Sequence, residues 1–503
     1  MPNDSKHPPI ADIESALAWL TGPPAEDPQV ELAALCGQLA ATAAAVPALQ
    51  WQTVLELFQT RTNGLNNALK PQLLEATLPL SHRLRLIAQG LIEAHGALAE
   101  GFIRVLREGE PDISKRLGRN QAILISHAIF HLAEQQEIAL LVAAPPPPNL
   151  WRQAHAILRM LKDGFLPEAT LPPDIIAADR TIKRMLALAA SQPESCAAKE
   201  VAFLADYLNS FAGVVEIRFA APATLDGWFW LEEDRDGPPI AAVRRPPPPI
   251  GCLLFFSCRL LADTARQQMV RLAKGEKPES LGLPDLAATE DYRNVLARAA
   301  GRWASPSKRH SHRRRNGYRV QVCPHLETLW RLLGGEAASE ADHEGSPITD
   351  WMVLNEAGGG FAMMHVAGDV SGIVSGAAVG MRTGADPWRL CLIRWARSDN
   401  PEHVELGLEL IAPAAQAVKI IWPTRNGQRN PVPALLMPSL PRLDRGEALM
   451  APRGHYRDGH FTLITEADGK FQLTECVAGD LAVQTATVDV FEFGRDFSPL
   501  STG

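Results

Sequence analysis

The 503-residue chain lacks the marks of several large protein classes. No uncharged apolar run approaches the roughly 18–20 residues that a membrane-spanning helix needs, so no transmembrane segment is expected. The start, M-P-N-D-S-K-H-P-P-I, has no charged region followed by an apolar core, and no secretory leader is read there. The seven cysteines stand singly, an odd number without framework spacing; this argues against a disulfide scaffold and points to reduced thiols in a cytoplasm. The nearest two, Cys252 and Cys258 in G-C-L-L-F-F-S-C, read as packed thiols rather than metal ligands. Catalytic signatures are missing as well. No G-x-x-x-x-G-K-[ST], H-E-x-x-H or G-x-S-x-G stands out, and the triple glycine 358–360 lacks the Lys that a phosphate loop needs. Neither an enzyme nor a resident cofactor is therefore expected. A formal charge of −8 also argues against a nucleic-acid coat protein, whose positive field would be global.

What is present is an ordinary globular composition, 46% hydrophobic and 21% charged, in a chain long enough for about three or four domains. From residue 10 to 211 the pattern is helical. Leu84, Leu91, Leu98 and Val105 recur every seven residues with Ile87 and Ala94 between them, which places one apolar stripe along a helix. The following stretch, Q-A-I-L-I-S-H-A-I-F-H-L-A-E-Q-Q-E-I-A-L-L-V, is apolar on most faces and should lie centrally in a bundle. His127 and His131 stand at i, i+4 but lack a third ligand type nearby, so both read as structural. Residues 212–305 read as a small mixed region: strands in V-V-E-I-R-F-A and G-W-F-W-L-E-E-D, then helices at about 259–274 and 289–304. Trp228, Phe229 and Trp230 are expected to be packed strand aromatics.

Beyond residue 306 short alternating segments separated by Gly, Asp, Asn and Pro suggest an antiparallel barrel or sandwich over 306–415 and a further β domain over 416–496. The A-D-G-K stretch between two alternating segments is a hairpin signal. The expected fold is thus multidomain α+β: an N-terminal helical bundle, a mixed connecting region and C-terminal antiparallel β structure.

One stretch breaks the acidic balance. Residues 308–322, K-R-H-S-H-R-R-R-N-G-Y-R-V-Q-V, hold six Lys or Arg and two His and run straight into an alternating strand. By itself such a run reads either as a solvated linker or as an anion-binding arm. Within it Arg315 and Arg319 are spaced R-x-x-x-R, and 36 residues beyond Arg319 comes N-E-A-G-G-G-F-A-M, an amide and three glycines at a strand-to-strand turn. Further on lie Arg394–Trp395 and Gly407–Leu408–Glu409–Leu410.

In that order these elements resemble the PilZ domain, the bacterial receptor module for cyclic di-GMP, over about residues 308–415. The family pattern is R-x-x-x-R, then (D/N)-x-S-x-x-G, then closing strands with an R-W pair and a G-[IVL]-E-[LF] ending. The resemblance implies a β-barrel that binds the dinucleotide through Arg315, Arg319, Asn355, Ala357 and Gly360, with Arg314 as a further phosphate contact. The chemistry agrees. An arginine fork grips phosphate or the O6/N7 edge of guanine bidentately and stacks on a purine face, and an amide oxygen accepts from guanine N–H groups. One departure is the family's serine, here Ala357, which removes a hydroxyl hydrogen bond worth about 0.5–1.5 kcal/mol.

Two functions stay open at this point. One is a cytoplasmic cyclic di-GMP receptor that relays the signal to a protein partner through its helical bundle. The other is a PilZ-like interaction module that no longer binds the dinucleotide, which the serine-to-alanine change favours and the intact Arg315, Arg319 and Asn355 oppose. A single-stranded nucleic-acid surface would want stacking aromatics beside the arm, and only Tyr318 is there.

Overall fold

The computed structural model describes residues 13–45, 48–109, 119–163, 172–306, 314–334, 348–357, 359–400, 403–423, 430–439, 446–467 and 469–495. The first six residues of the basic run, 308–313, lie outside them, as do Gly358 of the triple glycine and Asp468 of the A-D-G-K turn. The chain divides into two compact units: residues 1–76, 80–193 and 198–309, and residues 77–79, 194–197 and 310–503.

The first unit opens with α1 (Ile13–Thr21), α2 (Pro28–Ala45), α3 (Ala48–Leu69), α4 (His82–Gly109), α5 (Arg119–Leu141), α6 (Leu150–Asp163), α7 (Pro173–Ala190) and α8 (Ala198–Phe211). The apolar stripe of α4 is buried at Ile87, Leu91, Ala94, Leu98 and Val105, facing α3 and α5. Close packing there depends on missing side chains: a Cβ on Gly101 would lie 2.7 Å from Leu55 Cδ2. α5 is the central helix that its composition suggested, with Ala122, Ile125, Ala128, Ile129, Leu132 and Ile138 buried.

Buried ionisable groups along α5 meet groups of neighbouring helices. His131 Nδ1 meets His95 Nδ1 of α4 at 2.8 Å, so one neutral imidazole donates and the other accepts. His127 packs edge-on against Phe102. One turn further on, Lys70 lies 2.8 Å from Glu134 and 2.7 Å from Glu137, and Arg184 of α7 closes on both carboxylates. Burial alone would raise the Glu134 carboxyl, but Lys70 and Arg184 outweigh it and hold it down at about 2.

The mixed region belongs to the same unit. β1 (Glu216–Arg218), β2 (Trp228–Glu232), β3 (Ile240–Ala241) and β4 (Leu253–Ser257) form an antiparallel sheet in the order β1-β4-β2-β3, followed by α9 (Arg259–Ala273) and α10 (Glu290–Ala304). Trp228, Phe229 and Trp230 are buried, as strand aromatics should be. The two thiols are not packed together as expected. Cys258 is buried at the start of α9, whereas Cys252 is exposed, because it precedes β4 in the loop that follows the proline run.

The second unit contains two closed six-stranded antiparallel barrels. The first is built from β5 (Arg314–Pro324), β6 (Thr349–Ala357), β7 (Gly360–Ala367), β8 (Ala378–Arg382), β9 (Arg389–Asn400) and β10 (His403–Ala412), in the order β10-β7-β6-β5-β8-β9. A short helix unanticipated by the alternating pattern, α11 (Leu326–Leu333), intervenes after β5; its Leu326, Leu329, Trp330 and Leu333 at i, i+3, i+4, i+7 pack into the barrel core. The second barrel is built from β11 (Gln416–Ile421), β12 (Val432–Met437), β13 (Ala448–Pro452), β14 (His460–Ala467), β15 (Lys470–Gln484) and β16 (Val488–Arg495), in the order β11-β12-β13-β16-β15-β14. With the strands of each barrel lettered a to f, both rings read a-b-c-f-e-d: the two barrels share one wiring. They also share a core in which Leu329, Leu390 and Leu392 meet Leu435, Met450 and Val490, and Trp330 Nε1 donates to Val418 O at 2.7 Å.

The histidine pair makes the helical unit sensitive to acid. Burial holds His95 down at about 4 and His131 well below the ordinary 6.5. In the unfolded chain both would take up protons first, so their contribution is intact above 6.5 and is lost as the pH falls toward about 4. The unfolding free energy from urea titrations followed by far-ultraviolet circular dichroism should fall through this window, by about 1.4 kcal/mol per pH unit for each histidine. The double variant His95→Leu, His131→Leu should flatten that slope; an unchanged slope would place the acid response elsewhere.

Candidate functional site

The strand that follows the basic run sets the site. Along β5, Val320 and Val322 are buried in the barrel, opposite Trp351 and Thr349 of β6, while Arg314, Arg315 and Arg319 are exposed. In the β5–β6 register Arg314 faces Glu356, Arg315 faces Asn355 and Arg319 faces Met352, with a shift between Arg315 and Tyr318. β6 is itself shifted against β7 between Val353 and Asn355, so that Asn355 lies opposite Ala362 and Met352 opposite Met364. Such shifts are β-bulges, one extra residue absorbed by one strand.

Their consequence is geometric. Measured on β7, the row of Arg315 ends at Ala362 and the row of Arg319 at Met364, two residues apart on a strand whose intervening Met363 is fully buried. Alternate residues of a strand share a face, so both arginines stand on the outer face of the barrel with Asn355 between them and Ala362. Four residues of separation along β5 span three positions of β6 and two of β7. Two cations on one face, with no ion pair to either among the described residues, favour a ligand that brings negative charge.

The turn that carries the amide is fixed from the opposite side. Ala357 pairs with Gly360 at the end of the β6–β7 hairpin, and Gly360 lies opposite Glu409 of β10. A Cβ on Gly360 would lie 2.5 Å from Leu408 O, so the glycine is demanded by the approach of β10. Asn355, Ala357 and Gly360 are all half-buried.

The closing motifs lock onto one another. Trp395 of β9 is the register partner of Gly407 on β10, and a Cβ on Gly407 would lie 1.8 Å from Trp395 Nε1. The indole therefore occupies the place of a side chain. The register shift just beyond pairs Leu408 with Ile393, skips Arg394, and leaves its guanidinium ion-paired with Glu409. These four residues hold β9 to β10.

Three residues beside the arginines have places that the sequence reading missed. Tyr318 donates its hydroxyl to Glu356 Oε2 at 2.8 Å, which ties the arm strand to β6; burial, reinforced by that bond, pushes the phenol up to about 12. Met352 and Met364 continue the row of Arg319 across the outer face, half-buried and apolar. Only a register could identify them, since no motif includes either.

The second barrel repeats the wiring without the arm. Its f strand carries V-F-E-F (490–493), and Glu492 lies opposite Ala448, the first residue of its c strand, as Glu409 lies opposite Gly360. No arginine stands between Gly407 and its first strand, and its b–c turn, P-S-L-P-R-L-D-R-G-E, has no N-x-A-x-x-G counterpart. The V-F-E-F echo of G-L-E-L was a signal in the sequence for this repetition.

Comparison with known proteins agrees with this division. Residues 14–223 match the family model described as the N-terminal domain of the cyclic-di-GMP receptor FimW, and residues 333–417 match the one described as its middle PilZ domain. The chain is similar to the cyclic-di-GMP receptor FimW of Pseudomonas aeruginosa, 19% identical over 481 residues that cover 81% of this chain and 78% of the relative. The matched segment 333–417 includes Asn355, Ala357 and Gly360; Arg314, Arg315 and Arg319 precede it.

The Trp395–Gly407 fit gives a stability test. Gly407→Ala should cost about 1–3 kcal/mol, the usual range for overpacking, read as a lower melting temperature. Adding Trp395→Ala should recover part of that loss, because the clash partner is gone. Strictly additive losses would show that the two residues do not meet.

Proposed function

Because residues 333–417 make this chain a member of the PilZ-domain family, we propose that it is a receptor for cyclic di-GMP that binds the dinucleotide on the outer face of its first barrel. The observation that carries this reading is the register: Arg315 beside Asn355, with Arg319 four residues further along β5 on the same face. One guanidinium grips a phosphate while the other pairs with, or stacks on, a guanine. The Asn355 amide meets the guanine edge, Ala357 and Gly360 form the turn beneath it, and Arg314 adds a phosphate contact. No hydroxyl is available at Ala357. The charge-assisted arginine bonds, about 1.5–3 kcal/mol each, exceed that deficit of about 0.5–1.5 kcal/mol.

In this reading the protein is not an enzyme and requires no cofactor. It acts in the cytoplasm and passes ligand occupancy to a protein partner through its helical unit. Among the described residues no helix is long and apolar enough to cross a membrane. The alternative, a PilZ-like module that has lost the ligand, draws on Ala357 and on the second barrel, which keeps the fold without the motif residues.

Calorimetric titration with cyclic di-GMP separates the two. Arg315→Ala and Arg319→Ala should each weaken binding at least about tenfold, the equivalent of one charge-assisted bond. Arg331→Ala should leave it unchanged, since that exposed side chain pairs with Glu327 on α11. Equal losses from all three would reduce the arm to a diffuse patch of charge.

Ala357→Ser should tighten binding by at most about tenfold, the upper end of one neutral hydrogen bond. If only the serine variant binds, the domain is a degenerate receptor. If neither binds while both are folded, the receptor reading fails.

A further inference from the structure

The outer face of the first barrel carries apolar side chains that none of the dinucleotide contacts named above employs. Trp351 and Val353 of β6 and Met363 of β7 are fully buried, so strand alternation turns Met352 and Met364 outward, where they pair across the two strands. Leu354 lies beside them. The register shift between Val353 and Asn355 leaves it without a partner on β7, and it is 38% exposed.

A sheet with one face on the core calls for polar residues on the other. The flanking strands comply, with Arg319 and Gln321 outward on β5 and Glu405 and Glu409 outward on β10. β6 and β7 lie between those strands and depart from the pattern at Met352, Leu354 and Met364. The departure adjoins the arginines, since Arg319, Met352 and Met364 form one row across three neighbouring strands. At about 4.8 Å per strand the row spans about 10 Å, room for one flat ring system beside a guanidinium. Small-molecule sites are built in this way, an apolar lining with a few polar groups that fix orientation. A thioether suits such a lining, because it is unbranched and polarizable and its sulfur contacts an aromatic ring favourably.

Resting on the cyclic di-GMP reading, we propose that Met352, Leu354 and Met364 form a shelf on which one guanine of the dinucleotide lies flat. The base covers apolar surface that water otherwise meets, while Arg315 and Arg319 hold a phosphate and the edge of the ring. The arginines answer to charge and the shelf answers to the ring. A phosphate ligand without a base gains from the first and nothing from the second.

Methyl nuclear magnetic resonance on the full chain tests the shelf directly. The chain has ten methionines, and the signals of two are assigned by their loss in Met352→Leu and Met364→Leu. Both should move upfield on saturation with cyclic di-GMP, as methyls above an aromatic face do. Inorganic pyrophosphate, which brings charge without rings, should leave them in place. By calorimetry the double variant Met352→Gln, Met364→Gln should bind cyclic di-GMP at least about threefold more weakly, with strand content unchanged by circular dichroism. The double leucine variant should lose less, and the salt dependence of binding should stay that of the wild type in both, since no charge is removed. If the wild type binds but the two methyls stay in place, or the glutamine variant binds as tightly, the shelf is refuted and the receptor reading stands. Methyl shifts of equal size with pyrophosphate refute the shelf as well, because no ring is then involved. A wild type that binds no cyclic di-GMP overturns both readings together.

Discussion

The pairing of β5 with β6 is the constraint on which the candidate site depends. A strand has a side-chain period of two, so a slip of one residue would turn Arg315 and Arg319 into the barrel and Val320 and Val322 out to solvent. The core forbids this slip: Val320, Val322, Trp351 and Val353 are all at most 2% exposed. Within that fixed register the bulge between Arg315 and Tyr318 lets four residues of β5 span three of β6, which keeps both arginines outside. The Tyr318–Glu356 bond holds the start of the strand down where the bulge has interrupted the ladder. Hydrophobic burial therefore orients cations that take no part in it.

The two barrels separate fold from function within one chain. Their strands close in the same cyclic order and their cores merge through Leu390, Leu435 and Val490. What the wiring needs is present in both: an alternating apolar interior and a glutamate on the last strand opposite the first residue of the third. The arginines and the amide proposed to bind the dinucleotide stand on one. The second barrel spends its buried polar group differently. Asp489, fully buried, accepts from the backbone N–H groups of Gly454 and Tyr456 at 2.8 and 3.1 Å and so pins the loop that leads into β14. A shared fold confers a scaffold, and side chains on its face confer the chemistry.

In the helical unit, apolar stripes supply the core, and polar groups buried along α5 must be matched by partners on neighbouring helices. The His95–His131 bond and the Lys70–Glu134–Glu137–Arg184 cluster are arrangements in which every charge has an opposite neighbour or is absent. Removing one member would leave its partner buried and unsatisfied, a larger cost than replacing the whole set with apolar residues. The family match to the FimW N-terminal domain covers this region, and the match to the PilZ domain covers most of the first barrel.

How much was legible in the sequence follows from the range of the interactions involved. The α4 stripe, the helices α9 and α10, and the β14–β15 hairpin around A-D-G-K were readable because local spacing sets them. α11 was missed because its eight residues, L-E-T-L-W-R-L-L, sit between strands and make their case only through burial against the barrel. Cys252 was misplaced because six residues of sequence proximity to Cys258 do not determine depth. The R-x-x-x-R, N-x-A-x-x-G, R-W and G-L-E-L elements could be picked out as a family pattern, and with them the candidate site residues. By itself, then, the sequence determined the order of elements and the chemical types at the site. Only the tertiary structure decided that Arg315 stands beside Asn355, that Trp395 requires Gly407, and that two barrels share one wiring. Those facts depend on register and bulges, which are fixed by contacts between segments far apart in the chain.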